Sequence, residues 1–243
     1  GRNIALTTYG EALQNALTPV LKTLHQIPTQ LQQMALEREK TIRLNVLAAS
    51  TLVTQALISY KKDHDGLHFR LIQNSQCEDA DITVFTRENF QIPTDPKERY
   101  ELFKERIFLA VPHNSPYASE ESVRLQDFAH EDFISLSGSR SIRTICDRYC
   151  MQAGFVPHII YESDSPDTVK NLIASGLGVG FWPHYTWGMD SMEQIRLLPI
   201  AEPTCQRAII LQLHRHARGQ EAVCSFYAFL SRYLRQLKAA EQH

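Results

Sequence analysis

Apolar and polar positions alternate in short runs after residue 40, and turn-forming residues bound each run. Residues 41–47 alternate as a strand, the turn at 48–51 leads into a helix with an apolar side, and Gly66 ends that helical segment. Residues 67–72 then alternate as a second strand. Because the apolar period changes from two to 3.6 and back, this stretch predicts a strand, helix, strand unit of an α/β fold.

The segment 163–183, SDSPDTVKNLIASGLGVGFWP, gives the clearest helix boundaries in the chain. Ser165 is placed to cap a helix whose first residue is Pro166, because the N–H that proline lacks would be unpaired in the first turn anyway. Gly176 is suited to the left-handed conformation that ends a helix. Residues 177–182 read as a buried strand closed by Pro183. A helix that leads directly into a buried strand predicts a parallel sheet.

The same patterns predict the remaining elements and a division into two lobes. Strands are expected at 81–86, 106–111, 132–136, 155–161, 194–200 and 207–213, helical segments at 123–129, 141–153 and 220–238, and a polar loop with a short helix at 90–104. The turn-rich segment after Pro112 marks the start of a second lobe, and strand 207–213 returns the chain to the first. The predicted domains are therefore 41–111 plus 207–243, and 112–206.

The interval between the second and third predicted strands is unusually short. Only residues 74–81 separate Gln73 from Ile82, whereas a parallel crossover with its helix needs about 10–12 residues or more. Two interpretations follow: the sheet departs from parallel order here, or residues are absent from the chain.

Residues 10–40 carry a heptad pattern instead of a strand pattern. Thr8 and Glu11 fit a capping box that starts a helix near Tyr9. The apolar positions alternate spacings of four and three, at Leu13, Leu17, Val20, Leu24, Ile27, Leu31 and Met34. This seam predicts pairing with another helix, and the alternative is packing on the body of the same chain. Pro19 and Pro28 predict kinks or two shorter helices.

Composition limits the classes of function. The net charge of -2 and the pI near 6.6 provide no overall field for nucleic acid, so a free-standing DNA-binding protein is disfavoured. No apolar run reaches the length of a membrane span and no export signal is present, which predicts a cytoplasmic protein without membrane contact. The five cysteines contain no CxxC pair, so reduced thiols are expected.

Candidate binding residues cluster at strand-to-helix turns, at 49–51, 137–140 and 163–165. Helix N-termini offer N–H groups and partial positive charge there, so the three turns together predict an anion site at the carboxyl ends of the strands. Arg140 would add a charge-assisted bond. The glycines of SGLGVG at 175–180 follow a helix and precede a strand, the reverse of a phosphate loop, which favours a packing role.

Other candidate chemistry is weak. His214 and His216 are predicted to share one face of a strand, but no acidic or cysteine partner nearby in the sequence completes a metal site. No GxSxG, HExxH or kinase-type motif is present, so the sequence indicates neither an enzyme, nor a cofactor, nor a metal.

Several stretches, in order, resemble the LysR-type transcriptional regulators. IALTTYGEAL (4–13) resembles the end of that family's DNA-binding wing and the start of its linker helix. IRLNVLAAST (42–51) and ADITVF (80–85) resemble its first effector-domain strand and a DLAI-like strand, and RIFLAVPHNSPYA (106–118) resembles its crossover strand. ESDSPDTVKNLIASGLGVGFWP (162–183) is similar to the family's ES…V..LVAAGLGVALLP segment.

The resemblance implies two Rossmann-like subdomains with a cleft between them, of the type II periplasmic-binding-protein kind, preceded by a linker helix. Residues 1–9 would end a winged helix-turn-helix domain whose remainder is missing here, so that DNA would be contacted only through that missing domain. Residues 10–40 would form the linker helix, which would assemble the protein as a homodimer or homotetramer through Leu13, Leu17, Val20, Leu24, Ile27 and Leu31.

The resemblance also implies an effector site in the cleft. Its lining would comprise Ser50, Thr51, Thr86, Ser137, Gly138, Ser139, Arg140 and Ser163. Hydroxyls and backbone N–H groups that converge on a cleft suit a carboxylate, so a small organic acid is the expected effector. Two alternatives remain open at this point, a solute-binding protein of a transporter and a thiol-based redox-sensing regulator.

Overall fold

The computed structural model describes residues 5–73, 75, 77–87, 90–138, 141–188 and 193–240. Within these residues one mixed sheet has the strand order β2-β1-β3-β10-β4-β9-β5, β8 pairs with β4 beside that path, and β6 and β7 form a separate pair. The strands are β1 (Thr41–Val46), β2 (His68–Gln73), β3 (Ile82–Arg87), β4 (Arg99–Pro112), β5 (Val123–Arg124), β6 (Asp132–Leu136), β7 (His158–Ser163), β8 (Gly180–Pro183), β9 (Ile195–Glu202) and β10 (Gln206–Leu213).

The helices cover the faces of these strands, except for the N-terminal helix, which projects from the body of the chain. They are α1 (Thr8–Lys40), α2 (Ser50–Lys61), α3 (Ser141–Gln152), α4 (Pro166–Ala174), α5 (His184–Trp187) and α6 (Glu221–Ala240), with 3₁₀ turns at Leu125–Phe128 and Arg215–Ala217. The boundaries expected from the sequence hold well at α4, where Ser165 accepts a hydrogen bond from Thr168 N and Gly176 has φ +79.

Two separate buried clusters define a first and a second lobe. In the first lobe, β1 lies between β2 and β3 in parallel register, and α2 and α6 pack their apolar faces on these strands. Tyr60 of α2 and Phe69 of β2 each contact the ring of Phe226, with centroids 5.0 Å apart. The second cluster lies among β4, β6, β8, β9, α3 and α4.

The long strand β4 and the strand β10 join the lobes. Residues from Arg99 to Arg106 of β4 pair with β10, and residues from Ile107 onward pair with β8 and β9. The sequence predicted only 106–111 as strand and assigned 90–104 to a loop with a short helix. That prediction is wrong for 99–104, because polar residues are mixed with Tyr100, Leu102 and Phe103 on a part of the strand that is only half buried.

The short connection at 74–81 does not disturb parallel order. Since β1 pairs in parallel with both β2 and β3, the first interpretation of the short interval is wrong. The connection passes from one side of β1 to the other without a helix in its described residues, 75 and 77–81. A crossover without a helix is short enough to fit eight residues.

Residues predicted as helix or strand differ in four further places, one of which is β7, which covers 158–163 instead of 155–161. Residues 123–129 form a two-residue strand and a 3₁₀ turn instead of a helix. Strand β8 starts at Gly180 instead of 177, and it pairs antiparallel with β4, while Val179 makes a parallel bridge to Phe133. The sheet is therefore mixed and not purely parallel. His214 and His216 lie beyond the end of β10, at a 3₁₀ turn, and do not share a strand face.

Helix α1 is a single helical element over 33 residues with no buried side chain. Its cap is Thr7, one residue before the expected Thr8, and Thr7 Oγ1 accepts from Gly10 N. The helix continues through Pro19 and Pro28, so the expected division into two helices is wrong; each proline removes only one internal N–H. Packing of the seam on the chain's own body is also wrong, because Leu13, Leu24 and Leu31 are 55–60% exposed.

Candidate functional site

A cavity of about 190 Å³ lies between the lobes, at the carboxyl ends of β1 and β3 and the amino end of β10. This is the place where open α/β sheets bind ligands. Its lining combines strand ends with helix starts from both lobes. The lining residues are Val46, Leu47, Ala48, Ala49, Ser50, Gln73, Thr86, Leu136, Ser141, Ile142, Pro166, Pro183, Thr186, Trp187 and Arg207.

The first wall of the cavity is the turn from β1 into α2. Leu47 N and Ala48 N both donate to Val84 O, at 2.8 and 3.2 Å, which holds the turn against β3. Ala49 then adopts φ 58 and ψ 36, a left-handed conformation that costs energy for any residue with a Cβ. Ala49 is the cap residue of α2 and supplies no side-chain acceptor. The residue before α2 therefore leaves the first N–H groups of the helix without a side-chain cap where they meet the cavity.

The opposite wall comes from the starts of α3 and α4. Ser141 and Pro166, the first residues of these helices, both line the cavity. The serines before α4 are occupied locally, since Ser163 Oγ accepts from Ser165 N at 3.1 Å and Ser165 Oγ accepts from Thr168 N at 3.4 Å. Because α4 is capped by its own sequence, α2 offers the more open helix N-terminus to a ligand.

A buried polar network forms the floor of the cavity. Arg207 on β10 lies directly across from Glu105 on β4, and Arg207 Nε donates to Glu105 Oε2 at 2.5 Å. Thr186 closes the network: its N–H and hydroxyl donate to Glu105 at 2.6 and 3.0 Å, and its Oγ1 accepts from Arg207 Nη2 at 2.6 Å. Glu105 is 0% exposed and Arg207 is 3% exposed, so the two charges balance one another away from water.

The structure brings some of the sequence-predicted residues to the cavity and not others. Ser50 and Thr86 line it, and Thr86 Oγ1 donates to Ala208 O at 2.6 Å. Thr51 is exposed, and neither it nor Ser137, Gly138 or Ser163 is part of the lining. Ser137 N instead donates to Ser163 O at 2.9 Å, which joins the ends of β6 and β7. Ser139 and Arg140 lie outside the described residues.

Sequence reasoning missed Arg207, Thr186 and Trp187 as lining residues. One signal was present for Arg207, because it is a charged residue at the start of a strongly apolar strand, where an unpaired charge would be costly. No local pattern marks Thr186 or Trp187, since α5 has only four residues and starts directly after Pro183.

Four of the five cysteines have surroundings that disfavour the thiolate form. Cys146, Cys150 and Cys205 are buried, and burial raises the pKa of each thiol, that of Cys150 to about 12. Cys77 donates to Asp79 Oδ1 at 2.9 Å, and this bond raises the pKa of the Cys77 thiol. Since the thiolate is the reactive form, these four thiols are poor redox sensors near pH 7.

His214 and His216, which follow β10, lie near acidic residues that are distant in the sequence. His214 Nδ1 lies 3.7 Å from Glu98 Oε2, and His216 Nε2 lies 3.5 Å from Asp81 Oδ1. Burial lowers the pKa of His214 below its usual value. No group of three or more His, Cys, Asp or Glu residues arranged to hold a metal ion occurs among the described residues. The same part of the chain contains no helix that is long and apolar enough to cross a membrane.

Comparisons with known proteins place this geometry in a family. The profile of the LysR substrate binding domain matches residues 36–235. The transcriptional dual regulator GltC of Bacillus subtilis is 24% identical over 250 residues, covering 98% of this chain and 82% of GltC. An uncharacterised HTH-type transcriptional regulator of the same organism, YybE, is 26% identical over 217 residues, covering 86% of this chain and 73% of YybE.

Solved structures show the same fold. The effector-binding domain of QuiR in complex with shikimate superposes with a TM-score of 0.65 at 19% identity, covering 81% of this chain and 97% of that domain. These likenesses establish a type II periplasmic-binding-protein fold with an N-terminal helix. The profile match spans most of the chain and decides against a transporter's solute-binding protein. The chain therefore belongs to the LysR-type family of transcriptional regulators and contains the effector-binding domain of such a regulator.

Proposed function

We propose that this chain senses a small carboxylate-bearing metabolite in the cavity between its lobes and thereby modulates transcription. The observation that carries the proposal is the start of α2, where the strained Ala49 leaves the first N–H groups without a side-chain cap at the cavity wall. A helix of 12 residues provides partial positive charge at that point. A carboxylate is the simplest group that accepts several such N–H bonds at once.

The size of the cavity supports a small effector. Its volume of about 190 Å³ is below the roughly 300–1,000 Å³ of a typical drug-sized site. The QuiR domain was solved with shikimate and a BenM effector-binding domain with benzoate, both small carboxylates, and the BenM domain has a TM-score of 0.64 to this chain at 18% identity. Since Glu105 already balances Arg207, recognition would depend on helix N-termini more than on a free cation.

The proposal extends to architecture and assembly. The two lobes would correspond to subdomains 41–111 plus 207–243 and 112–206, and effector binding would change how they close on one another. Helix α1 would pair with α1 of a second copy, as a homodimer or homotetramer, through its exposed seam. DNA would be contacted by a winged helix-turn-helix domain preceding α1 in the complete protein, which would act in the cytoplasm.

Thermal unfolding with matched pairs of ligands tests the effector class. Benzoate, shikimate and a panel of other small carboxylic acids are compared with their amides, and at least one acid should raise the Tm while its amide does not. If no acid in the panel raises the Tm, the carboxylate proposal is wrong. An acid and its amide that raise the Tm equally would also contradict it.

A charge placed at the start of α2 locates the site. Ser50→Glu should abolish the response to the acid, because a carboxylate at the helix start repels the ligand while stabilising the helix itself. The matched control is Ser59→Glu, an exposed position near the other end of α2. If Ser50→Glu binds the acid as Ser59→Glu does, the ligand site does not lie at this helix start.

A further inference from the structure

Helix α1 is joined to the body at its last turn, on one side. Arg38 donates two hydrogen bonds to Asp81, from Nη2 to Oδ1 at 2.6 Å and from Nη1 to Oδ2 at 3.0 Å. Among the described residues, these are the side-chain hydrogen bonds that connect α1 to positions beyond Thr41. Because no side chain of α1 is buried, apolar packing does not hold the helix against the body.

The acceptor of this ion pair is held by the sheet. Asp81 is 0% exposed, its Oδ2 also accepts from Arg43 N at 2.8 Å, and its own N–H donates to Arg43 O at 2.9 Å. His214 N donates to Asp81 O at 3.0 Å, which joins Asp81 to the end of β10 as well. The carboxylate is therefore positioned by three strands of the first lobe, while Arg38 extends from the helix.

The other side of the helix end faces open space. A groove of about 760 Å³ lies between the end of α1, the end of α2 and the start of α6, and its lining includes Glu39, Lys40, His64, Gly66 and Glu221. One side of the end of α1 is bonded to Asp81 and the other side borders the open groove. If the bonds to Asp81 are lost, α1 therefore has room to change its direction. The bidentate geometry favours one direction over the others, because two parallel N–H to oxygen bonds fix the guanidinium in the plane of the carboxylate.

We infer that the Arg38–Asp81 ion pair is the joint that sets the direction of α1 on the effector-binding domain. The joint lies at the opposite end of β3 and β10 from the cavity, where Thr86 and Arg207 line the wall and floor. In a regulator, this joint would be a fixed contact between the effector-binding domain and the helix that leads to the DNA-binding part. That role rests on the proposed function. The joint itself needs no effector, so its test is independent of that function.

Distance measurements on the whole chain test the joint. Spin labels at Gln32→Cys on α1 and Lys62→Cys after α2 are introduced into a background of Cys77→Ser and Cys224→Ser, and labelled chains are diluted with unlabelled chains. Both label positions are exposed. The parent should give one narrow distance distribution. Arg38→Gln should lose that narrow peak, and a peak of unchanged width would overturn the inference.

Two further variants separate the joint from general damage. Arg43→Gln removes the neighbouring ion pair with Asp79, which does not involve α1, and it should keep the narrow peak. Arg38→Gln with Asp81→Asn removes both charges, so no buried carboxylate is left without its cation. This double variant should unfold at a Tm close to that of the parent and still lack the narrow peak. A double variant that regains the peak would show that the ion pair does not set the helix direction.

Discussion

Gly178 and Gly180 lie where neighbouring chains pass too close to admit a side chain. A Cβ on Gly178 would lie 2.6 Å from Asp132 O, and one on Gly180 would lie 2.7 Å from Ile173 Cδ1 and 2.8 Å from Ile134 O. These distances explain the glycine-rich run after α4 as a packing feature, which is the role that the order of helix and strand favoured. The close approach brings β8 and α4 onto β6, and α4 and β6 both contribute to the walls of the cavity.

Replacement of Gly180 by alanine should therefore destabilise the second lobe. We expect Gly180→Ala to lower the free energy of unfolding by about 1–3 kcal/mol, because the added methyl must displace a backbone oxygen and a buried isoleucine. Gly66→Ala is the control, since a Cβ there meets nothing within 4 Å, and its effect should stay within about 0.5 kcal/mol. Urea unfolding monitored by tryptophan fluorescence measures the free energy of unfolding of each variant. Equal stability of the two variants would contradict the packing role of Gly180.

Single residues could be predicted from the sequence where the physics is local. The Ser165 cap and the Gly176 stop depend on backbone groups within a few residues, and both are present in the structure. Ala49 and Arg207 could not be found in this way. The left-handed turn at Ala49 depends on bonds to Val84, and the burial of Arg207 depends on Glu105, 102 residues away.

At the scale of elements, α1 presents an apolar seam that no other described part of the chain covers. Leu17, Leu24 and Ile27 are 41–55% exposed on a helix of 33 residues. A lone helix with this surface would gain by pairing, since each leucine buried on association stabilises by about 1.5–3 kcal/mol. The heptad spacing supports a helix of a second copy as the partner.

Charges on the seam should dissociate the assembly. Leu17→Glu with Leu24→Glu places two like charges on each chain at the interface, and the mass measured by light scattering should fall below that of the parent. Gln26→Glu with Gln33→Glu adds the same charge on the opposite face of α1 and should leave the mass of the parent. Dissociation by both pairs, or by neither, would mean that assembly does not use this seam.

The elements that sequence patterns predicted best are those with their own caps or strict alternation, such as α4 and β1. Strand β4 was predicted only at its buried half, because the half that joins the lobes is partly solvated and reads as polar. The length of the connection at 74–81 did not decide whether β3 runs parallel to β1. It is fixed by pairing with β1, which contributes hydrogen bonds regardless of what joins the strands.

At the scale of the whole molecule, the network of Glu105, Arg207 and Thr186 connects the two lobes. Glu105 and Arg207 belong to the strands that run between the lobes, and Thr186 belongs to α5, which follows β8 of the second lobe. Tyr149 of α3 adds a second tie, because its hydroxyl donates to Gln206 O at 2.7 Å and accepts from Gln206 N at 3.0 Å. Arg207 and Thr186 line the cavity, so a ligand would contact the region where the lobes meet.

Arg207→Met should destabilise the protein by about 3–5 kcal/mol, because it leaves the fully buried Glu105 carboxylate without a cation. Adding Glu105→Gln should recover much of this loss, since a neutral amide oxygen still accepts from Thr186. Arg124→Met, which breaks an exposed ion pair with Asp127, is the control and should cost at most about 1 kcal/mol.

The same variants show whether the network couples the lobes. Both tryptophans, Trp182 and Trp187, pack in the second lobe, whereas far-UV circular dichroism reports on both lobes. In the parent, the two signals should follow one urea transition. In Arg207→Met the fluorescence transition should occur at a lower urea concentration than part of the dichroism change, because the second lobe loses the bond from Arg207 to Thr186 Oγ1. Coincident transitions in that variant would assign the network to local stability and not to coupling between the lobes.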